Sequence, residues 1–486
     1  MRILRLRVVI PILAIVALSL SGCVVVGPDY KRPVLAVPAS YSATTRDGTV
    51  PDRWWTLFGD PGIDRLVDEA LAANQDLVAA AARVEEARAQ LGLTRADRYP
   101  EVWVDAEGSR TRLSQETSQL PPGTPVETSK VRLSGNVAFE LDFWGRLRRA
   151  SQAARAELLA SVEGRRNVRL GLIADVVTAY LDLLSYDRQL AVARQTRESR
   201  QESLRLQRLK FDAGAISELD VAQAEAELAS TEAMVPALLR EGRQTEDRLG
   251  VLLGRVGGAV PRAEPQEAAG ELEGLEPPGV PFGLPSGLLE RRPDVAAAEQ
   301  RLIAANARIG IARAAYFPSI QLTGYGGSES KELSGLFGGG TTIWQAALGL
   351  VQPIFNAGRA KRDIAATRAR EQQALASYTK AVQSAFADVE DALIARSTGI
   401  EQRDALERRV EALERARHLA MLRYEEGDSS YLEVLDAERN LFRAQLDLTN
   451  ARRDALAAAV TLFKALGGGW EVASPRSGEE GKDAGR

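Results

Sequence analysis

The sequence is poor in the residues on which most enzyme chemistry depends. It has one histidine, His418, and one cysteine, Cys23. That is too few for a His/Cys zinc site, and Cys23 sits in the leader described below rather than deep in a fold. A single cysteine also rules out a disulfide framework within the chain. Charge of one sign is missing too. The 62 Lys and Arg nearly balance 66 Asp and Glu, for a formal −4, so no net basic field exists to attract nucleic acid. No nucleophile–base or metal-ligating constellation stands out along the chain. The expectation is therefore no enzyme, no metal and no non-covalent cofactor. What is abundant is apolar sequence, 45% of 486 residues, ample for large buried cores.

Residues 1–22 read as an export signal. Arg2, Arg5 and Arg7 precede an apolar run over 8–18 that is too short to span a bilayer comfortably. The run ends in Leu20-Ser21-Gly22-Cys23, which resembles the lipobox of bacterial lipoproteins. That resemblance implies that Cys23 becomes the new N-terminus, bearing an S-diacylglycerol and an N-acyl chain. Several acyl chains at ~0.8 kcal/mol per buried CH₂ make membrane attachment effectively permanent. Val24 follows where lipoproteins retained at the inner membrane tend to carry Asp, so the resemblance favours the outer membrane.

The rest of the chain holds two copies of one pattern. Phe211-Asp212-Ala213-Gly214 matches Tyr424-Glu425-Glu426-Gly427, an offset of 427 − 214 = 213. The same offset pairs Gly145-Arg146 with Gly358-Arg359 and Leu219-Asp220-Val221 with Leu432-Glu433-Val434. Upstream the offset is 218, pairing Asp76 with Asp294 and Tyr99-Pro100 with Phe317-Pro318. Each copy predicts a helix (63–97 and 288–315) ending before an aromatic-Pro pair, where Pro disfavours helix. Strands follow at 101–113 and 130–142, then at 319–326 and 342–351. Over 130–142 Val131, Leu133, Val137, Phe139 and Leu141 alternate with polar residues. Trp103 and Trp344 are candidates either for girdle residues at a membrane interface or for buried packing.

Long Pro-free helices come next, over 146–210 and 359–423, with apolar residues at heptad spacing and a charged exterior. About 65 residues at ~1.5 Å each give ~100 Å, more than a compact domain can use. The chain then turns at Gly214 and Gly427, and a second helix returns in each copy to make the hairpins 145–254 and 358–467. The expected organisation is a signal peptide (1–22), a lipid-anchored extended segment (23–61), a first repeat (62–254), a Pro/Gly-rich linker (255–287), a second repeat (288–467) and a flexible tail (468–486). A strand in lipid needs every N–H and C=O satisfied, and four strands cannot close a barrel whose smallest form has eight. Several copies must therefore join.

Several motifs resemble signature stretches of outer-membrane efflux proteins of the TolC/NodT-like lipoprotein class. They are Trp54-Trp55-Thr56-Leu57-Phe58-Gly59-Asp60-Pro61, Asn74-Gln75-Asp76-Leu77, Leu289-Glu290-Arg291-Arg292-Pro293-Asp294-Val295, Tyr316-Phe317-Pro318 and Leu432-Glu433-Val434-Leu435-Asp436-Ala437-Glu438-Arg439. The resemblance covers essentially the whole mature chain in order. It implies an α+β membrane protein: a homotrimer whose four strands per chain make a twelve-stranded β-barrel in the outer membrane. A long α-helical coiled-coil barrel continues it through the periplasm. It further implies a passive exit duct in a tripartite pump, docked to a periplasmic adaptor and an inner-membrane transporter of the RND type.

The same resemblance places a periplasmic gate at Leu432, Asp436 and Arg439, with Glu433 as a further acid. It casts Leu432 as an apolar plug, Asp436 as an acidic ring and Arg439 as its ion-pair partner. Asp220 and Tyr424 would lock neighbouring hairpins, although Ser429 stands where some relatives carry a further locking Arg. Gly214 and Gly427 would mark adaptor-docking tips. Spacing alone favours a plainer reading, in which Asp436 and Arg439 at i, i+3 are a solvated surface pair worth a few tenths of a kcal/mol, and it suits Leu432 equally as an ordinary seam residue. Two other functions fit parts of the pattern. One is the exit channel of a protein-secretion system; the other is a lipid-anchored coiled coil without a pore, which leaves the four strands unexplained.

Overall fold

The computed structural model describes residues 25–35, 50–114, 116, 121, 125–257, 260, 271–280 and 291–469. The signal peptide, Cys23, most of the 255–287 linker and the tail beyond Gly469 lie outside the described residues. Helices α1 (Pro61–Ala73) and α2 (Gln75–Ala96) lead into strands β1 (Glu101–Arg112) and β2 (Glu127–Glu140). Helices α3 (Arg146–Asp212) and α4 (Glu218–Leu252) form the first hairpin. The order then repeats with α5 (Pro293–Ala314), β3 (Ser319–Ser330), β4 (Thr342–Val351), α6 (Arg359–Glu425) and α7 (Tyr431–Ala465).

The duplication holds at the level of whole elements. Helices α3 and α6 have 67 residues each, α4 and α7 have 35, and α2 and α5 have 22. Their starts keep the 213 and 218 offsets to the residue. The helix expected over 63–97 is broken, however, into α1 and α2. Asn74 adopts an extended conformation between them, with ψ 129. Its Oδ1 accepts the Leu77 N–H at 3.0 Å and its Nδ2 donates to the Leu252 carbonyl at 2.9 Å. Asn thus ends one helix and caps the next, a break that the helical spacing of its neighbours conceals. The expected strand at 319–326 runs on to Ser330, because Val131 on β2 pairs with Ser330 and keeps the Gly/Ser stretch in register. The strand expected at 130–142 begins earlier and ends at Glu140.

The four strands form one antiparallel sheet in the order β1-β2-β3-β4, so β1 and β4 are its two edges. Directly opposed residues share a face. Pairing of Val102 with Val137, Phe139 with Leu322, and Leu322 with Leu348 gathers apolar side chains on one side. Pairing of Trp103 with Asn136, Asn136 with Tyr325, and Tyr325 with Gln345 makes the other side polar. Trp344 opposes Gly326 and stands, exposed, on the apolar side. Trp103 does not. It lies on the polar side, one residue out of phase with Val102 and Val104.

The chain packs as two units. The first comprises the N-terminal segment to Val34, Arg83–Val162 and Ala297–Tyr378. In it Trp144 stacks on Phe317 with ring centroids 4.6 Å apart and donates to the Pro318 carbonyl at 2.9 Å, joining the end of the first copy's strands to the start of the second's. The second unit comprises Leu35–Ala82, Glu163–Ala296 and Thr379–Arg486. Its core includes Trp54 and Trp55, both buried, with Trp54 stacked on Phe463 at 4.8 Å. Arg292, at the foot of α5, bonds Asp294 and Asp388 through one nitrogen, at 2.7 and 2.8 Å, and the Ala465 carbonyl at 3.1 Å. Of the 289–295 motif, the described part that carries this bonding is Arg292 and Asp294.

Candidate periplasmic gate and hairpin tips

Each hairpin reverses through a glycine whose backbone an L side chain resists. Gly214 and Gly427 have φ of 73° and 82°. The N–H groups of Ala215 and Asp428 reach back to the Lys210 and Arg423 carbonyls, both at 2.8 Å. That closes the ends of α3 and α6 in the same way. Beyond the turns, Ser217 and Ser430 precede the returning helices α4 and α7. The Asp220 carboxylate accepts the Ser217 N–H at 3.1 Å and its hydroxyl at 2.8 Å. These bonds of Asp220 serve its own helix start. Glu433, its counterpart, pairs instead with Arg423 at 3.1 Å.

Tyr424 joins the two hairpins within one chain. Its hydroxyl donates to Gln207 at 3.3 Å and accepts from the Lys210 ammonium at 3.1 Å, while that ammonium lies 4.4 Å from its ring centre. Tyr431 lies beside it, ring to ring at 5.5 Å, and hydrogen-bonds Ser203 at 2.7 Å. Burial pushes the Tyr431 phenol above its usual ionisation range. Beneath these contacts Leu204, Ala224, Val434 and Leu435 pack with Tyr431 as one apolar cluster. So Tyr424 and Tyr431 of the second hairpin are both seated on α3 of the first.

Leu432 and Asp436 stand on the outer side of α7's first turns, Leu432 at 54% exposure. With Arg439 they fall at i, i+4 and i+7, a single stripe. Asp436 accepts the Asn440 side-chain N–H at 3.1 Å. The ion pair that Arg439 makes within the chain is not with Asp436. It is with Glu227 on α4, at 2.5 Å. The Glu227 carboxylate also holds Arg200 on α3 at 3.0 Å. Neither Glu227 nor Arg200 carries a signal in the sequence, since each sits in an ordinary charged helix; only the meeting of three helices singles them out.

The model of the outer membrane efflux protein family matches residues 66–255 and 284–468. The chain belongs to that family. This outer membrane efflux protein is 38% identical to the solvent efflux pump outer membrane protein SrpC of Pseudomonas putida over 464 residues, 94% of this chain and 97% of that one. It is 37% identical to the probable outer membrane lipoprotein SilC of Salmonella typhimurium, over 93% of this chain and 96% of SilC. The open state of the MtrE outer membrane channel of Neisseria gonorrhoeae superposes with a TM-score of 0.81 at 33% identity, covering 92% of this chain and 98% of MtrE. As a member of the family the protein resides in the outer membrane and acts in export, not catalysis. Its fold is mostly helical with a four-stranded sheet.

Proposed function

We propose that this outer membrane efflux protein assembles as a homotrimer, three sheets closing a twelve-stranded barrel that continues as an α-helical barrel through the periplasm. One observation carries the reading: a four-stranded sheet with two edges, β1 and β4, one apolar face and one polar face. Edges facing lipid must pair, because no water is there to satisfy them. Two chains give eight strands and a lumen filled by side chains; three give twelve and room for water. The apolar face then meets lipid and the polar face lines the duct. Acyl chains on Cys23 supply a second anchor.

In this reading the duct is passive. An inner-membrane transporter, of the RND type, delivers small molecules, and a periplasmic adaptor docks at the tips around Gly214 and Gly427. The efflux pumps for which relatives such as SrpC are named support that assignment. Leu432, Asp436, Arg439 and Glu433 form the gate at the same end. Gln223 and Ala226 replace Asp436 and Arg439 in the first copy, so a trimer carries rings of three such charges rather than six. Three carboxylates near one axis repel each other, which favours dilation unless cations hold them. Chemical cross-linking with mass analysis should give a trimer, and single-channel recording a conducting pore. Asp436→Ala and Arg439→Ala should each raise conductance and sensitivity to large antibiotics. A stable folded monomer in detergent would overturn the trimer; unchanged conductance in both variants would overturn the gate.

A further inference from the structure

On the gate reading above, we infer that Glu227 is the positioning residue that clasps the gate stripe of the second hairpin to the first hairpin. Its two carboxylate oxygens serve different helices. Oε1 accepts from Arg439 of α7, from Nε at 2.9 Å and Nη2 at 2.5 Å. Oε2 lies 3.0 Å from Arg200 Nη2 of α3. Glu227 itself is on α4, so one carboxylate ties both helices of the first hairpin to the returning helix of the second.

The two arginines are held unequally. Arg200 is 5% exposed and also donates to the Glu227 backbone carbonyl at 2.8 Å and to Thr231 Oγ1 at 2.5 Å. Its guanidinium lies 5.4 Å from the Phe442 ring centre. Arg439 is 37% exposed and rests on the carboxylate. When the hairpins part, the Arg439 contact is therefore the one that breaks. Arg200 stays and keeps the carboxylate aimed for recapture.

The duplication supplies an internal comparison. At the 213 offset, Glu227 corresponds to Asn440, Arg200 to Leu413 and Arg439 to Ala226. None of the three counterpart positions carries a charge, so the clasp has no equivalent at the duplicated positions. Asn440 donates to Asp436 at 3.1 Å instead. The same helix position thus steadies one gate charge in each copy: Glu227 holds Arg439, and Asn440 holds Asp436. A purely structural ion pair gives no reason for that correspondence.

The test is single-channel recording on the full-length trimer carrying E227D, E227Q, R439Q, R439K, D436N and their pairs. E227D keeps a countercharge for buried Arg200, but one methylene less stops it from serving both arginines, so it stays informative where E227Q fails to fold. E227D and R439Q should each raise open probability about tenfold. Their combination should exceed neither, because both break one contact, whereas D436N should add to E227D. R439K should restore near-normal closure in the parent chain and not in E227D. If R439Q and D436N open the channel but E227D leaves it closed, or if E227D and R439Q add, Glu227 is not the clasp and the gate assignment stands. If D436N, R439Q and E227D all leave conductance unchanged, the gate assignment falls and the clasp with it.

Discussion

Arg32 lies against Glu299 as a two-pronged pair, Nε 2.7 Å from Oε1 and Nη2 2.6 Å from Oε2. Tyr30 donates to the same Oε1 at 3.0 Å. Two residues of the extended N-terminal segment therefore fasten onto one largely buried carboxylate of α5. Arg149 adds a third hold, donating to Asp29 at 2.9 Å, and the Val26 N–H a fourth, to the Trp144 carbonyl at 3.0 Å. The segment that begins at Val25 is thus seated on the first unit by charge as well as by backbone.

Removing Glu299 should loosen that segment without unfolding the hairpins. Glu299→Gln should cost about 1–2 kcal/mol locally, since half-exposed Arg32 is partly screened by water. Limited proteolysis should then cut within 25–35 sooner than in the parent chain. An unchanged cleavage rate would show that the backbone contacts suffice.

Alkaline pH should loosen the same segment. Burial first, and then the Glu299 charge, push the Tyr30 phenol up from its ordinary value of 10.0. The folded state thus prefers the neutral phenol, so this contribution is intact below about pH 10 and is lost as pH rises beyond it. Amide exchange over 25–35 should quicken in that range, and Tyr30→Phe should remove the dependence on the phenol. Identical alkaline profiles for the two chains would contradict the assignment.

Asn74→Ala should be costly for a single polar residue. It removes the cap on α2 and leaves the Leu252 carbonyl without its side-chain donor, in a residue 3% exposed. A loss of about 1–2 kcal/mol follows, read as a lower Tm of the purified protein. Asn74→Asp keeps the cap acceptor but not the donor to Leu252, so it should recover only part of the loss.

Gly214→Ala and Gly427→Ala test turn and docking separately. A Cβ at either position meets nothing within 4 Å, so the cost is the left-handed backbone alone, about 1 kcal/mol each. Thermal stability should fall slightly in both. A much larger loss of adaptor co-purification than of Tm would support the docking role of the tips; proportionate losses would make them turns and nothing more.

The architecture was legible in the sequence because duplication and periodicity are local properties. A 213-residue offset keeps the same face of each helix turned the same way, so α3 and α6 could be matched to their ends. Strict alternation over Val131, Leu133 and Val137 likewise assigned one face of β2 before any partner strand was known. Signals that break period without breaking hydrophobicity were hidden. Asn74 interrupts a helix whose neighbours continue the helical spacing.

The amino-acid order by itself thus determined the two repeats, the long hairpins, the four strands and the family. Only tertiary packing decided which carboxylate Arg439 takes. Asp436, three residues away on the same helix, was the local choice, but Glu227 lies across the hairpin boundary, already oriented by buried Arg200. A charge pair across elements depends on where three helices come to rest, and no spacing along one of them records that.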